Sequence, residues 1–328
     1  MSETWLITGG AGCVGSHIVK KLNKRGIKCI VLDNMSAYPV DTWKLFGLNK
    51  LKGVKLVKGN VLNRKLVSKL ISQCDRVIHA SAYADVGASI RNYNKDFRNN
   101  VLGTEIMLEC SLGKELKKFT FISSAAVYGE PEWYMGNPPI FNEKQKLSPI
   151  NTYGASKMWG ETQTILFHKL YGLPCTAIRF GSVYGEHQIP KKKSWSWMIA
   201  IWSMQLMKGK SITVFGDGSQ VRDMTHVEDI AEGVIRATLS DKTTGKVMNL
   251  GTGKPTNLLQ IVDKLKEHFG EFEVNFAPKN KGDSMGGYCD ITLMEDLLGW
   301  VPQITLDKGI KKYIKWVKEN PQVVPKWV

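Results

Sequence analysis

The 328-residue chain contains no apolar run approaching the roughly 18 residues that a membrane span needs, so a spanning helix is excluded. Its first strand-like run, Trp5-Leu6-Ile7, is not preceded by a basic and then apolar leader, and the expected location is the cytoplasm. Cysteines are few and scattered: Cys13, Cys29, Cys74, Cys110, Cys175 and Cys289 form no CxxC pair and have no histidine at metal-ligand spacing. That excludes a disulfide framework and a zinc site, and leaves small buried thiols in a reducing compartment, with no metal expected. Internal repeats and low-complexity linkers are absent. Acidic residues are in short supply, 30 against 45 Lys and Arg, for a net charge of +15. The basic residues are nevertheless dispersed. Lys191-Lys192-Lys193 is the tightest run, and no zinc-finger or RNP-like motif stands beside it, so nucleic acid is not the expected partner. A general positive field suits a smaller anionic ligand, such as a diphosphate.

What is present is ample apolar content, 43%, enough for one large domain or a core domain with a smaller lobe. Up to about residue 180, short β-branched runs alternate with longer helical patterns, the signature of βαβ units feeding a parallel sheet. Strands are expected at 4–8, 28–33, 55–58, 76–79, 118–123 and 175–180. Between the first two, Val14, Ile18 and Leu22 recur at helical spacing through 14–25, and Gly26 supplies a stop. After Gly185 the pattern loosens, with helices at about 195–209, 227–239 and 257–269. The expected fold is α/β: a Rossmann doubly wound parallel sheet over 1–180, to which 226–250 returns, with a smaller substrate-binding lobe in 181–328. Pro321 and Pro325 suggest a loose C-terminal tail.

Gly9-Gly10-Ala11-Gly12-Cys13-Val14-Gly15 follows the first strand and opens the first helix, the context in which a dinucleotide fingerprint has meaning. Gly9 suits the tight turn, Gly12 a close approach of backbone to pyrophosphate, and Gly15 close helix–sheet packing. Eighteen residues on, the second strand ends at Asp33-Asn34. A carboxylate there accepts hydrogen bonds from an adenosine ribose and repels a 2′-phosphate, so NAD is favoured over NADP.

Tyr153-Gly154-Ala155-Ser156-Lys157 puts a phenol and an ammonium at i and i+4 on one helix face. With ten tyrosines and this many lysines, roughly one such pair arises by chance, so context must support it. The run 119–122 followed by Ser123-Ser124 supplies that context by delivering hydroxyls to the carboxyl end of the sheet. The expected chemistry is proton abstraction from a substrate hydroxyl by Tyr153, its pKa lowered by Lys157, with Ser124 bonding the same oxygen.

The chain thus resembles the extended short-chain dehydrogenase/reductase family, in particular its nucleotide-sugar epimerases and dehydratases. The resemblance rests on the GxxGxxG loop, Ser124 and YxxxK, and also on His79-Ala80-Ser81-Ala82, Asn100-Val101-Leu102-Gly103-Thr104 and Arg179-Phe180-Gly181-Ser182-Val183-Tyr184-Gly185. Further along it includes Val214-Phe215-Gly216-Asp217-Gly218, Gln220-Val221-Arg222-Asp223 and Leu298-Gly299-Trp300-Val301-Pro302. It implies that NAD is held by Gly9, Gly12, Cys13, Val14 and Gly15, by Asp33 and Asn34, and by Asn60 and Val61. Ala80, Ser81, Ala82, Asn100, Ser123, Phe180 and Val183 join Tyr153 and Lys157 in the same role. Substrate residues are then Ser124, Ser182, Phe215 near the base, Arg222 on the diphosphate, Lys279 and Asp283, while His79 is a positioned strand-end residue. Three departures stand out. Ser182 replaces an asparagine, Asn60 replaces an aspartate, and Lys279 or Lys281 stands in for a second phosphate-binding arginine, giving charge without a bidentate grip.

The residues after Ser124 discriminate among reactions, because each further step needs its own acid or base. Where related dehydratases carry Asp-Glu and decarboxylases Glu, this chain has Ala125-Ala126. The reading is a 4-epimerase of a nucleotide-sugar, with UDP-glucose/UDP-galactose or an N-acetyl form as substrate and small residues at Gly286 and Gly287 making room for an N-acetyl group. UDP-glucuronate 4-epimerisation is an alternative. A CDP-sugar 2-epimerase, suggested by Tyr184-Gly185-Glu186-His187-Gln188, is another, and a silent NAD/nucleotide-sugar binding protein is the non-enzyme alternative. A homodimer is expected through faces carrying Val101, Met107 and Leu108 with Met158, Thr162 and Ile165.

Overall fold

The structure, a computed structural model, describes residues 3–134 and 136–328. Seven strands form the central sheet: β1 (Thr4–Thr8), β2 (Lys28–Asp33), β3 (Val54–Lys58), β4 (Arg76–His79), β5 (Lys118–Ile122), Cys175–Phe180 and Val247–Leu250. Their spatial order is Val247–Leu250, Cys175–Phe180, β5, β4, β1, β2, β3, and every neighbouring pair is parallel. This is the doubly wound Rossmann arrangement. The chain order reverses between β1 and β4, which opens a crevice at the carboxyl ends of the strands. β4 and β5 are buried along their whole length, as strands covered on both faces are, although Arg76, His79, Lys118 and Thr120 are among the buried residues.

Helix α1 (Cys13–Lys24) buries Gly15, Ile18, Val19 and Leu22 on one stripe. It ends where Gly26 adopts a left-handed φ of 73° and returns its N–H to the Asn23 carbonyl at 2.9 Å. Its outer neighbour is the helix Val227–Leu239, which precedes the edge strand Val247–Leu250, so this part of the C-terminal half packs against the sheet. The remaining C-terminal residues build a three-stranded sheet of Ser182–Tyr184, Val221–His226 and Pro255–Asn257, a pair of Ile212–Phe215 with Val274–Ala277, and the helices Met198–Leu206, Leu258–Phe269 and Leu306–Glu319.

Two expectations are corrected. The helix expected at 195–209 is confined to Met198–Leu206, and before it the chain runs in turns and bends from which Ser196 and Trp197 line the crevice. The C-terminal tail is not loose. Pro321–Val323 forms a 3₁₀ turn, Val323 and Val328 are buried, and Lys208 Nζ donates to the Val328 carbonyl at 2.8 Å. Among the described residues, no helix is long and apolar enough to cross a membrane, and no three His, Cys, Asp or Glu side chains gather as a metal site. All six cysteines are free.

Candidate active site

At the carboxyl ends of the strands lies a cavity of about 430 Å³. One end is built by the glycine turn. A side-chain carbon on Gly9 would stand 2.8 Å from the Ser81 Cα, and one on Gly15 would stand 2.2 Å from the Gly9 carbonyl oxygen, so both positions are closed to any side chain by backbone. Gly12 leaves the cavity floor bare, no side chain caps the first turn of α1, and Cys13, Val14 and Gly15 of that turn line the cavity. This bare, electropositive turn fits a phosphate.

Asp33 closes that end. Its carboxylate accepts from Ala11 N at 3.0 Å and Met35 N at 2.8 Å, and burial raises its pKa in opposition to these two bonds. Asn34, Asn60, Val61, Ala80, Ser81, Ala82, Phe180 and Val183 also line the cavity. Asn100 and Ser123 do not. Asn100 is buried behind the wall, where it accepts Tyr83 N at 2.7 Å and donates to Asp96 and Ser156. Ser123 turns inward and donates to Glu161 at 2.8 Å. Both support the wall. Cys13 lines the cavity, but its thiol points to the Glu186 carbonyl at 3.6 Å and burial pushes its pKa up, so it is not a nucleophile.

At the other end stand Ser124, Tyr153 and Lys157. Ser124 leaves β5 in extended conformation and caps the turn Ala125–Val127 by accepting Ala126 N at 3.1 Å. Tyr153 and Lys157 ride the helix Thr152–Tyr171, started by Asn151 accepting Gly154 N at 2.8 Å. The structure reverses the expected electrostatics. The Tyr153 pKa is pushed up to about 12 by burial and by the Asp96 carboxylate, against a hydrogen bond from Ser124. Lys157 holds its Nζ to the Ile122 carbonyl at 2.7 Å, 5.9 Å from the Tyr153 ring centre, and burial brings its own pKa down to about 8. Asp96, a buried carboxylate that the sequence reading missed, bonds Asn100 at 2.7 Å behind both residues. His79 sits between Thr8 Oγ1 at 2.8 Å and Thr104 Oγ1 at 3.1 Å, and burial lowers its pKa to about 3, so it stays neutral.

Three carboxylates line the cavity, and all are engaged. Asp33 is held as described. Asp223 accepts from Thr252 N, Gly253 N and Cys289 N, and Asp283 pairs with Arg222 at 2.8 Å. Arg222 and Ser182 line the wall, but Phe215 does not, because it ends a strand paired with Ala277. Lys279 also lies outside and points to Glu130 at 3.6 Å. Gly286 and Gly287 line the cavity without giving room in it. A side-chain carbon on Gly286 would meet the Val221 carbonyl at 2.2 Å, and one on Gly287 the Pro139 carbonyl at 2.4 Å. Their smallness serves backbone packing, which removes the argument for an N-acetyl pocket there.

Residues 5–251 match the family model described as the NAD dependent epimerase/dehydratase family. A Methanocaldococcus jannaschii protein provisionally named UDP-glucose 4-epimerase is 35% identical over 318 residues, covering 96% of this chain and 98% of its own. Among solved structures, a Thermotoga maritima UDP-glucose 4-epimerase with UDP-glucose is similar at 30% identity and a TM-score of 0.87, over 97% of this chain and 99% of that one. A Bacillus cereus UDP-glucuronic acid 4-epimerase in complex with UDP-glucuronic acid and NAD is similar at 27% identity and 0.88, over 96% and 99%.

Proposed function

The chain belongs to the NAD dependent epimerase/dehydratase family, and from that premise we propose that it is an NAD-dependent nucleotide-sugar 4-epimerase acting on a UDP-sugar. The observation that carries this reading is the pairing of two features in one cavity. A bare glycine turn stands at one end and Ser124, Tyr153 and Lys157 at the other, while every carboxylate between them is engaged and Ala125 and Ala126 occupy the wall after Ser124. Oxidation and re-reduction need only a proton acceptor and a hydride carrier. Elimination of water or carbon dioxide needs a further acid or base, which this wall lacks. The relatives named above carry 4-epimerase names and support the same reading.

Bound NAD supplies the acceptor, and after reduction the donor, of the C4 hydride. Gly9, Gly12, Cys13, Val14 and Gly15, with Asp33 and Asn34, are the residues to hold it. Tyr153 takes the proton of the sugar hydroxyl, and Ser124 donates to the same oxygen. Because burial makes the Tyr153 phenolate costly, the Ser124 hydrogen bond and the nearby Lys157 ammonium are needed to share its charge. Arg222 grips the substrate diphosphate after exchanging its Asp283 partner for phosphate oxygens.

UDP-glucose is the favoured substrate. UDP-glucuronate is a second reading, supported by lysines 95 and 191, which line the cavity without a carboxylate partner within 4.0 Å among the described residues. We further assign residues 1–180 with 226–250 to the NAD-binding half, the rest of 181–328 to substrate binding, and the protein to the cytoplasm as a homodimer. Met107 and Leu108 are fully buried and leave the proposed dimer face. Exposed Phe97, Leu102, Leu166 and Leu170 supply apolar surface in their place. The test is incubation with UDP-glucose, UDP-N-acetylglucosamine and UDP-glucuronate and resolution of the products by NMR. A C4 epimer of at least one is expected, and none from any of them overturns the reading.

A further inference from the structure

The segment after Ser182–Tyr184 is fastened over the first turn of α1. Ser16 Oγ meets His187 Nδ1 at 2.8 Å, and His17 Nε2 meets the Glu186 carbonyl at 3.1 Å. The His187 ring stacks on Phe46 at 4.0 Å, and Tyr313 donates to the Gln188 carbonyl at 2.8 Å. These ties fix the backbone immediately before Lys191 and bring its side chain to the cavity wall, whereas Lys192 and Lys193 are exposed.

The Lys191 Nζ lies 5.0 Å from the Trp197 ring centre and 5.7 Å from that of Tyr38. Tyr38 belongs to the loop that follows Asp33, so the ammonium spans the crevice between that loop and the wall before the helix Met198–Leu206. Among the described residues, no carboxylate approaches it within 4.0 Å. Asp85 is near enough to favour its charge, but that carboxylate is buried and caps a helix by accepting Ala88 N at 2.7 Å. Lys95 lines the same wall, with its Nζ 4.9 Å from the Tyr83 ring centre, and it too lacks a carboxylate within 4.0 Å. Holding two ammonium groups at the edge of a cavity without counter-ions is costly, and an anionic ligand would relieve that cost. The glycine turn from Gly9 to Gly15 contains no basic side chain, and Arg222 is already paired with Asp283.

The geometry points to Lys191 as an anion-binding residue of the cavity, working with Lys95 and the glycine turn to hold the diphosphate of the bound dinucleotide. This rests on the NAD reading above. A phosphate and a uronate carboxylate share the required chemistry, so the experiment separates the two. Calorimetric titration of nucleotide-free protein with NAD, UDP-glucose and UDP-glucuronate is carried out on wild type, Lys191→Met, Lys191→Arg and Lys193→Met, each at several salt concentrations.

Lys191→Met is expected to weaken NAD about tenfold or more and to flatten the dependence of log Kd on log salt, because a Coulombic contact has been lost. Lys191→Arg is expected to restore both, and Lys193→Met to change neither. A loss for UDP-glucuronate alone, with NAD and UDP-glucose unchanged, keeps the anion site but overturns its assignment to the dinucleotide. Unchanged affinities for all three ligands overturn the site itself. Wild-type protein that binds no NAD overturns the parent reading instead, so the two failures are distinguishable.

Discussion

Replacing Glu161 by Gln should destabilise the protein more than any surface substitution, because it leaves a buried guanidinium without its counter-charge. Glu161 and Arg179 form a bidentate pair whose side chains are each 4% exposed. Nε donates to Oε2 at 2.8 Å and Nη2 donates to Oε1. Ser123 Oγ adds a bond to Oε2 at 2.8 Å. On its other side Arg179 donates to Tyr128 Oη at 2.9 Å, and Tyr128 Oη in turn donates to Asn249 Oδ1 at 2.7 Å. The network ties β5, the helix Thr152–Tyr171, the strand Cys175–Phe180 and the edge strand Val247–Leu250 together directly beneath Ser124.

Breaking a buried pair by removing one charge costs about 3–5 kcal/mol, against a total stability of about 5–15 kcal/mol. Removing both charges costs much less. Urea unfolding followed by far-UV circular dichroism should therefore show a loss of about 3–5 kcal/mol for Glu161→Gln and clear recovery in the double variant Glu161→Leu/Arg179→Met. The reasoning is refuted by a loss below about 1 kcal/mol in the single variant, or by strictly additive effects in the double one.

Three further outcomes follow from the geometry. Gly15→Ala should abolish NAD binding in calorimetry, since the new methyl would stand 2.2 Å from the Gly9 carbonyl oxygen and force the turn open; retained affinity counts against the glycine-turn site. Tyr153→Phe should lower turnover at least about a hundredfold while NAD affinity stays within about twofold, and near-normal turnover removes Tyr153 from its role. Stability should fall as pH drops from about 6.5 towards 4, because burial holds the pKa of His17 at about 4 and of His79 at about 3, both below the unfolded value of about 6.5. Protons then bind the unfolded chain more readily, and the stabilisation is fully present only above that window. Glu186, where burial pushes up but His226, a backbone bond and Lys312 together bring the pKa down to about 2, acts in the same direction below about pH 4.3. A melting temperature flat between pH 7 and 4.5 contradicts this.

The parts legible in sequence were those set by local chemistry. The glycine turn, Asp33 at the end of β2 and the YxxxK helix each carry their signal within a few residues, and the alternation of strand and helix exposes the doubly wound sheet. What sequence hid depends on distant packing. An i, i+4 spacing shows that Lys157 is near Tyr153, but not that burial dominates the phenol or that Lys157 turns to the Ile122 carbonyl. Asp96 lies far along the chain from both and carries no motif. Pro321 and Pro325 read as breakers, while the burial of Val323 and Val328 fixes the tail they interrupt. Met107 and Leu108 read as part of a partner face, whereas the fold places them inside. Gly286 and Gly287 read as open space, whereas their missing side chains are replaced by neighbouring carbonyls. Lys191 was visible as part of a basic run, but nothing local separates it from Lys192 and Lys193.

The account's central claim is that a hydride leaves C4 and returns to the same carbon. The most direct measurement uses a UDP-sugar deuterated at C4, incubated with the enzyme in ordinary water and followed by NMR and mass spectrometry. The account predicts that the C4 epimer forms with deuterium retained at C4. Loss of that deuterium to solvent, or deuterated substrate recovered without any epimer, would contradict it.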